Sequence, residues 1–276
     1  MPLVRSVRKP LFLPKVAGAA WRNRNAFRDV ENYCMFIGHG RSGHSIVGAL
    51  LNAHPRVVIS RELDVLKYLQ RGVPIGLIYG AILVADDRFS NRWNSVTGQG
   101  HDYKVPGQWQ GRFERLQVIG DKRGGRSADR LARSPGVLEK LRRAVRVPLR
   151  VIHVVRNPFD NISTISARRH VPLEAAIDHF SAGEGHITLV RPMLGSEELL
   201  TIRHEDLLDN PQPHLSNIFA WLGAPATPEF LRDASSILFS SPKKTRLEAP
   251  WTPILVDRVN ELIRGKAWLA GYSFEG

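Results

Sequence analysis

The chain has 276 residues, 43% of them hydrophobic, with one cysteine and 39 Lys plus Arg against 26 Asp plus Glu, a formal net charge of +13. That length fits one large domain burying about three quarters of its unfolded surface, and the single cysteine, Cys34, excludes an internal disulfide scaffold. The apolar runs fall short of the ~20 residues of a membrane span, and the opening LFLPKVAGAA, interrupted by Pro14 and Lys15, makes no convincing signal peptide, so the expected location is cytoplasmic.

Residues 1–28 hold seven basic residues and no acidic one. Two readings of this arm stand: a solvated, partly disordered extension, or a contact for a membrane surface or polyanion that would make the protein peripheral to a membrane. Residues 1–30 are accordingly set apart as a basic extension, and residues 31–276 as the domain. From Tyr33 onward short apolar runs alternate with amphipathic stretches. Strands are predicted at 33–38, 56–59, 116–120, 150–155 and 199–203, and helices at 43–53, 62–70, 127–145, 159–169, 173–190, 212–222, 228–238 and 253–269. This order predicts an α/β fold with a central parallel sheet flanked by helices. The run VIHVV at 151–155 has the continuous apolar character of a central strand covered on both faces. Residues 91–114, rich in Gly, Trp and Asn, read as a long excursion near a binding cleft.

The segment FIGHGRSGHSIVGALLNAHP, residues 36–55, carries the most chemistry. A strand ends at Gly38, a turn with Gly40 and Gly43 follows, and a helix begins near His44. Glycines allow tight backbone geometry, and a new helix presents unpaired N–H groups and the positive end of its dipole, which together make an anion site. Gly38 to Ser45 matches the nucleotide-binding spacing G-x-x-x-x-G-K-[ST], except that His44 stands where the lysine belongs and the fixed cation, Arg41, lies three residues earlier. A second segment, VIHVVRNPFDNISTISARR at 151–169, delivers Arg156 to the carboxyl end of a strand. There Asn157 is placed to cap, Pro158 suits the first helical turn and Asp160 favours a helix start. Open α/β sheets bind ligands at that edge.

The loop GRSGHS with its helix and LLNAHP, then RNPFDNIST after a later strand, then IRHEDLLDNPQPHLSNIFAWLG, resembles the sulfotransferases that use 3′-phosphoadenosine-5′-phosphosulfate (PAPS). The resemblance covers about residues 33–223 and implies a P-loop-like sulfotransferase fold. It implies that Arg41, Ser42, Gly43, His44 and Ser45 embrace the 5′-phosphosulfate. Arg156 and a helix hydroxyl, Thr164 by family spacing with Ser163 one step away, would bind the 3′-phosphate. The family loop commonly has Thr-Thr where this chain has His44 and Ser45, so His44 either contacts phosphosulfate or turns aside. In place of the family's basic-glycine closing loop stands SSPKKTRLEAPW, which makes Lys243, Lys244 and Arg246 candidates equal with a solvated basic loop.

Glu62, after the second strand, reads alone as a helix-start glutamate stabilised by the dipole. Branches of the family that act on carbohydrate and on protein tyrosine have a catalytic glutamate there, which implies Glu62 as the general base, with Arg41 and His44 beside it at the transferring group. The implied acceptor is a hydroxyl of a carbohydrate, lipid, small alcohol or tyrosyl group, chosen by residues within 71–114 and 171–198. Tyr79, Trp93, Tyr103 and Trp109 lie in the first of these stretches, as stacking surfaces or as core. Lys122 and Arg123, after VIGD, either line the cleft or form an anion-tolerant turn. No metal is expected, because the ten histidines show no ligand spacing such as H-E-x-x-H.

Two rival readings remain. A P-loop phosphotransferase would use Asp121 to help hold Mg²⁺, but lacks the loop lysine and leaves Arg156 unexplained. A non-catalytic polyanion-binding module explains the charge but not two ordered anion motifs. No recognisable nucleic-acid motif occurs, so no specific nucleic-acid partner is expected.

Overall fold

A computed structural model describes residues 12–96 and 103–276. Five strands, β1 (Asn32–Ile37), β2 (Val57–Arg61), β3 (Val118–Lys122), β4 (Leu149–Val155) and β5 (Leu199–Arg203), pair in parallel in the order β2-β3-β1-β4-β5. Before and between them lie α1 (Phe12–Arg22), α2 (His44–Asn52), α3 (Val65–Gln70), α4 (Ile75–Val96), α5 (Gly124–Arg133), α6 (Gly136–Val145), α7 (Pro158–Arg169) and α8 (Leu173–Val190). After β5 come α9 (His204–Asp209), α10 (Pro211–Trp221), α11 (Pro228–Ser235) and α12 (Pro253–Ile263).

Every residue of β1 is buried, which the run NYCMFI requires. Alternate side chains of a strand face opposite ways, so Tyr33, Met35 and Ile37 join a core with Ile82, Leu131, Leu141 and Ile187, while Cys34 and Phe36 join another with Val47, Leu50 and Phe219. The chain leaves β1 toward one edge of the sheet, through α2 to β2, and leaves β4 toward the other, through α7 and α8 to β5. Since β1 and β4 are neighbours, their diverging loops open a crevice at the carboxyl end of the sheet, where open α/β folds take their ligands.

The expected helix at 127–145 is two helices, broken at Ser134–Pro135 because proline brings no N–H to the ladder. The helix expected from residue 62 begins only at Val65, because Glu62 and Asp64 take left-handed φ values of 64° and 66°. Residues 75–96 form one helix, so much of the expected excursion is regular; residues 97–102 of that stretch lie outside the described residues. From Phe12 the amino-terminal arm forms α1. There α1 packs on α4 with Val16 and Ala19 buried, and a Cβ on Gly80 would come within 2.7 Å of the Val16 carbonyl oxygen.

Candidate active site

A cavity of about 830 Å³ sits at this crevice, bordered by the loop after β1, the ends of β2, β3 and β4, and one face of α8. Gly38 and Gly43 bend the loop with φ of 122° and 98°, and Arg41 between them is also left-handed at 71°. No side chain caps α2. Its first N–H groups, at His44 and Ser45, therefore face the cavity with no helical partner, as an anion site requires. Arg41 is exposed on the cavity wall. Ser42 is 2% exposed and its Oγ accepts from Asn161 Nδ2 at 2.8 Å, so this hydroxyl ties the loop to α7 rather than facing the cleft.

His44 turns aside. Its Nε2 meets the Ile37 carbonyl oxygen at 2.9 Å, and its ring packs beneath Gly38 and Gly124. Burial pushes its pKa down to about 4, so at neutral pH the imidazole is uncharged and does not replace the missing lysine. The cation arrives from the neighbouring strand: Lys122 Nζ lies 3.2 Å from Ser45 Oγ and 3.3 Å from Glu62 Oε1. Burial pulls the Lys122 pKa down while Glu62 opposes the shift. Of the two sequence readings of Lys122 and Arg123, the structure places both residues on the lining of the cleft.

Glu62 lies at the cavity with its side chain 56% exposed, between Lys122 and Arg123. Arg123 Nη1 donates to the Glu62 carbonyl at 2.6 Å and approaches its carboxylate at 3.4 Å. The left-handed turn that presents Glu62 is clamped by the buried carboxylate of Asp121. That carboxylate accepts from Ser60 Oγ and Leu63 N at 2.9 Å, Asp64 N at 2.8 Å and Val65 N at 3.1 Å. With both oxygens so engaged, Asp121 is not a group for a Mg²⁺ shell, which removes the feature that favoured a phosphotransferase. The dipole reading of Glu62 also fails, because Glu62 precedes α3 by three residues.

Across the cleft, Asn157 caps α7 by accepting from Phe159 N at 3.0 Å. Arg156 Nη1 lies 3.4 Å from both Thr164 Oγ1 and the Arg41 carbonyl, and Nη2 donates to the Lys243 carbonyl at 2.6 Å. Its buried Nε has no partner, an incomplete donor set that fits an anion. Thr164 lines the cavity, whereas Ser163 is 3% exposed and accepts from Trp251 Nε1 at 2.9 Å. Between the two candidate hydroxyls the structure thus brings Thr164 to Arg156. The segment after residue 242 does close over this junction, but by other atoms than expected. Lys243 Nζ reaches Glu248 at 3.3 Å, and Lys244 is exposed outside the cavity lining. Arg246 is 2% exposed in an ion pair with Asp160 at 2.5 Å, a structural brace. Thr245, which sequence reasoning passed over, meets Thr164 Oγ1 at 3.1 Å.

Two more histidines belong to the site. His39 Nε2 meets Glu184 Oε1 at 2.7 Å, its ring stacks on Phe180 at 4.0 Å, and Trp268 donates to the other Glu184 oxygen, so the loop is anchored to α8 from below. His204 packs against Gly43, and burial followed by Arg156 lowers its pKa to about 4. Of the aromatic candidates, Tyr103 lines the cleft and Tyr79 is core, 5% exposed beside Phe27 and Tyr33. The Trp93 side chain lies outside the described residues. Among the described residues, no group of three or more His, Cys, Asp or Glu is placed to hold a metal ion.

A parallel sheet of this order, with a glycine anion loop after its central strand and an arginine after the next, defines an α/β enzyme of the P-loop-like class. The chain matches the sequence model of the sulfotransferase family over residues 35–228, well over half its length. It belongs to the sulfotransferase family, whose members move a sulfuryl group from PAPS to an acceptor. Among curated protein sequences none matches it significantly. Similar solved structures include the sulfotransferase domain of the Synechococcus PCC 7002 olefin synthase, at 18% identity, covering 83% of this chain and 86% of that one, with a TM-score of 0.49. Sulfotransferase STF9 from Mycobacterium avium is similar at 13% identity, 94% and 87% coverage and TM-score 0.47. Mouse sulfotransferase SULT7A1 complexed with PAP is similar at 12% identity, 91% and 89% coverage and TM-score 0.47.

Proposed function

We propose that this sulfotransferase transfers the sulfuryl group of PAPS in line to an acceptor hydroxyl, with Glu62 as the general base and no metal. The observation that carries this reading is that Glu62, Lys122, Ser45 and the open start of α2 line the same cavity as Arg156 and Thr164. In this reading Arg156, Thr164 and Thr245 hold the 3′-phosphate, and the backbone of residues 43–45 holds the 5′-phosphosulfate. The acceptor oxygen forms the new bond to sulfur as the bond from sulfur to the 5′-phosphate oxygen breaks, and that electron pair leaves on the phosphate. Lys122 and Arg41 face the charge that develops on the transferring oxygens and the leaving phosphate. Glu62 takes the hydroxyl proton.

The test is calorimetry with 3′-phosphoadenosine-5′-phosphate (PAP) against AMP in chelator, followed by labelled-donor transfer to pooled hydroxyl acceptors. Tight PAP binding that raises the melting temperature, with AMP weaker, is expected. Equal affinity for the two nucleotides would overturn the two-phosphate reading, and a strict requirement for Mg²⁺ and ATP would restore the phosphotransferase.

A further inference from the structure

Helix α1 is docked by one face only. Val16 and Ala19 are buried against α4, while Leu13 is 75% and Trp21 is 68% exposed. At 3.6 residues per turn, Leu13 and Trp21 lie about 80° apart on the outward side with exposed Ala17 between them, while exposed Arg22 lies about 100° beyond Trp21 and Lys15 further round toward the buried face. Arg24 places its guanidinium 4.8 Å from the Trp21 ring centroid and donates to the Trp21 carbonyl at 2.9 Å, which fixes a cation beside the indole. The sequence continues the bias, with no acidic residue before Asp29.

We propose that this face docks on an anionic membrane surface, with Leu13, Ala17 and Trp21 in the headgroup boundary and Arg22 and Arg24, on the Trp21 side, reaching lipid phosphates and carboxylates. A buried face, an exposed apolar arc and cations at its tryptophan end are the parts of an interfacial helix, here already folded against its domain. A nucleic acid or anionic glycan would use the cations but leave Leu13 and Trp21 in water, whereas a bilayer uses both. The proposal is independent of the catalytic reading.

The experiment is co-sedimentation of the full chain with phosphatidylcholine vesicles, with and without phosphatidylserine, across salt concentrations, for the wild type, Leu13→Ala, Trp21→Ala and Arg22→Glu. Binding only with phosphatidylserine, weakened by salt, is expected, with Trp21→Ala lowering it about tenfold and the melting temperature unchanged, since the indole is outside the core. No vesicle binding by the wild type would overturn the proposal. So would vesicle binding that Leu13→Ala and Trp21→Ala leave intact, or binding to heparin or duplex DNA with none to vesicles.

Discussion

The two proposed anion sites on adjacent strands are built by opposite means. After β1 the proposed grip is mainly backbone: left-handed residues and an uncapped helix start, with the Ser42 hydroxyl turned inward and that of Ser45 held by Lys122. After β4 the helix start is already capped by Asn157, with Pro158 in the first turn, and the proposed grip passes to the Arg156 guanidinium and the Thr164 hydroxyl. The difference teaches that one cleft can divide its ligand between a shape filter and a charge filter. A backbone nest accepts any tetrahedral anion that fits, and a bound guanidinium demands a second phosphate at one distance.

The sharpest test separates both grips from the chemistry. Glu62→Gln keeps shape and hydrogen bonding but takes no proton, so single-turnover transfer is expected to fall by roughly 10²–10⁴, about 3–5 kcal/mol of barrier, with PAP affinity barely changed. A matched loss of nucleotide binding would make the residue part of the grip.

Beneath the loop after β1, His44 is packed neutral and buried. Its folded pKa of about 4 lies below the ordinary 6.5 of the unfolded chain, so between these values the unfolded state binds the proton and the folded state does not. Stability is expected to fall as pH drops from about 6.5 to about 4, by roughly 3 kcal/mol from His44, with His54 and His204, also lowered to about 4, and His153, lowered further by burial, adding to the fall. Melting temperature against pH checks it, and His44→Gln should make the slope shallower without removing it.

Gly43→Ala and Arg156→Ala then test the division directly. A Cβ at Gly43 would sit 2.5 Å from His204 Nδ1 on a backbone with φ of 98°, so the loop must shift, and PAP and AMP affinity should fall together, by roughly ten-fold or more. Arg156→Ala should cost PAP about 1.5–3 kcal/mol and AMP little, because AMP has no 3′-phosphate. Parallel losses in both titrations of the arginine variant would break the comparison.

The smallest effect separates neighbouring hydroxyls. Thr164→Val is expected to weaken PAP by about 1 kcal/mol with stability nearly unchanged, while Ser163→Ala should leave PAP affinity alone and lower the melting temperature slightly through its lost bond to Trp251. Calorimetry and thermal melts on the two variants decide it.

The amino-acid sequence by itself determined the five strands, the parallel sheet, the glycine loop at 38–43 and the arginine after VIHVV. These follow from local rules, namely apolar runs, glycine freedom and helix-start preferences, whose reach is a few residues. Tertiary structure alone decided where the side chains of those motifs point. Ser42 faces inward because Asn161, 119 residues away, meets it; Arg246 is internal because Asp160 needs a partner; Lys122 enters the site because β3 lies beside β1. Likewise the arm folds from residue 12 because Gly80 leaves room for α1 on α4. Burial and buried charge are settled by residues far apart in the chain, and no local pattern carries that information.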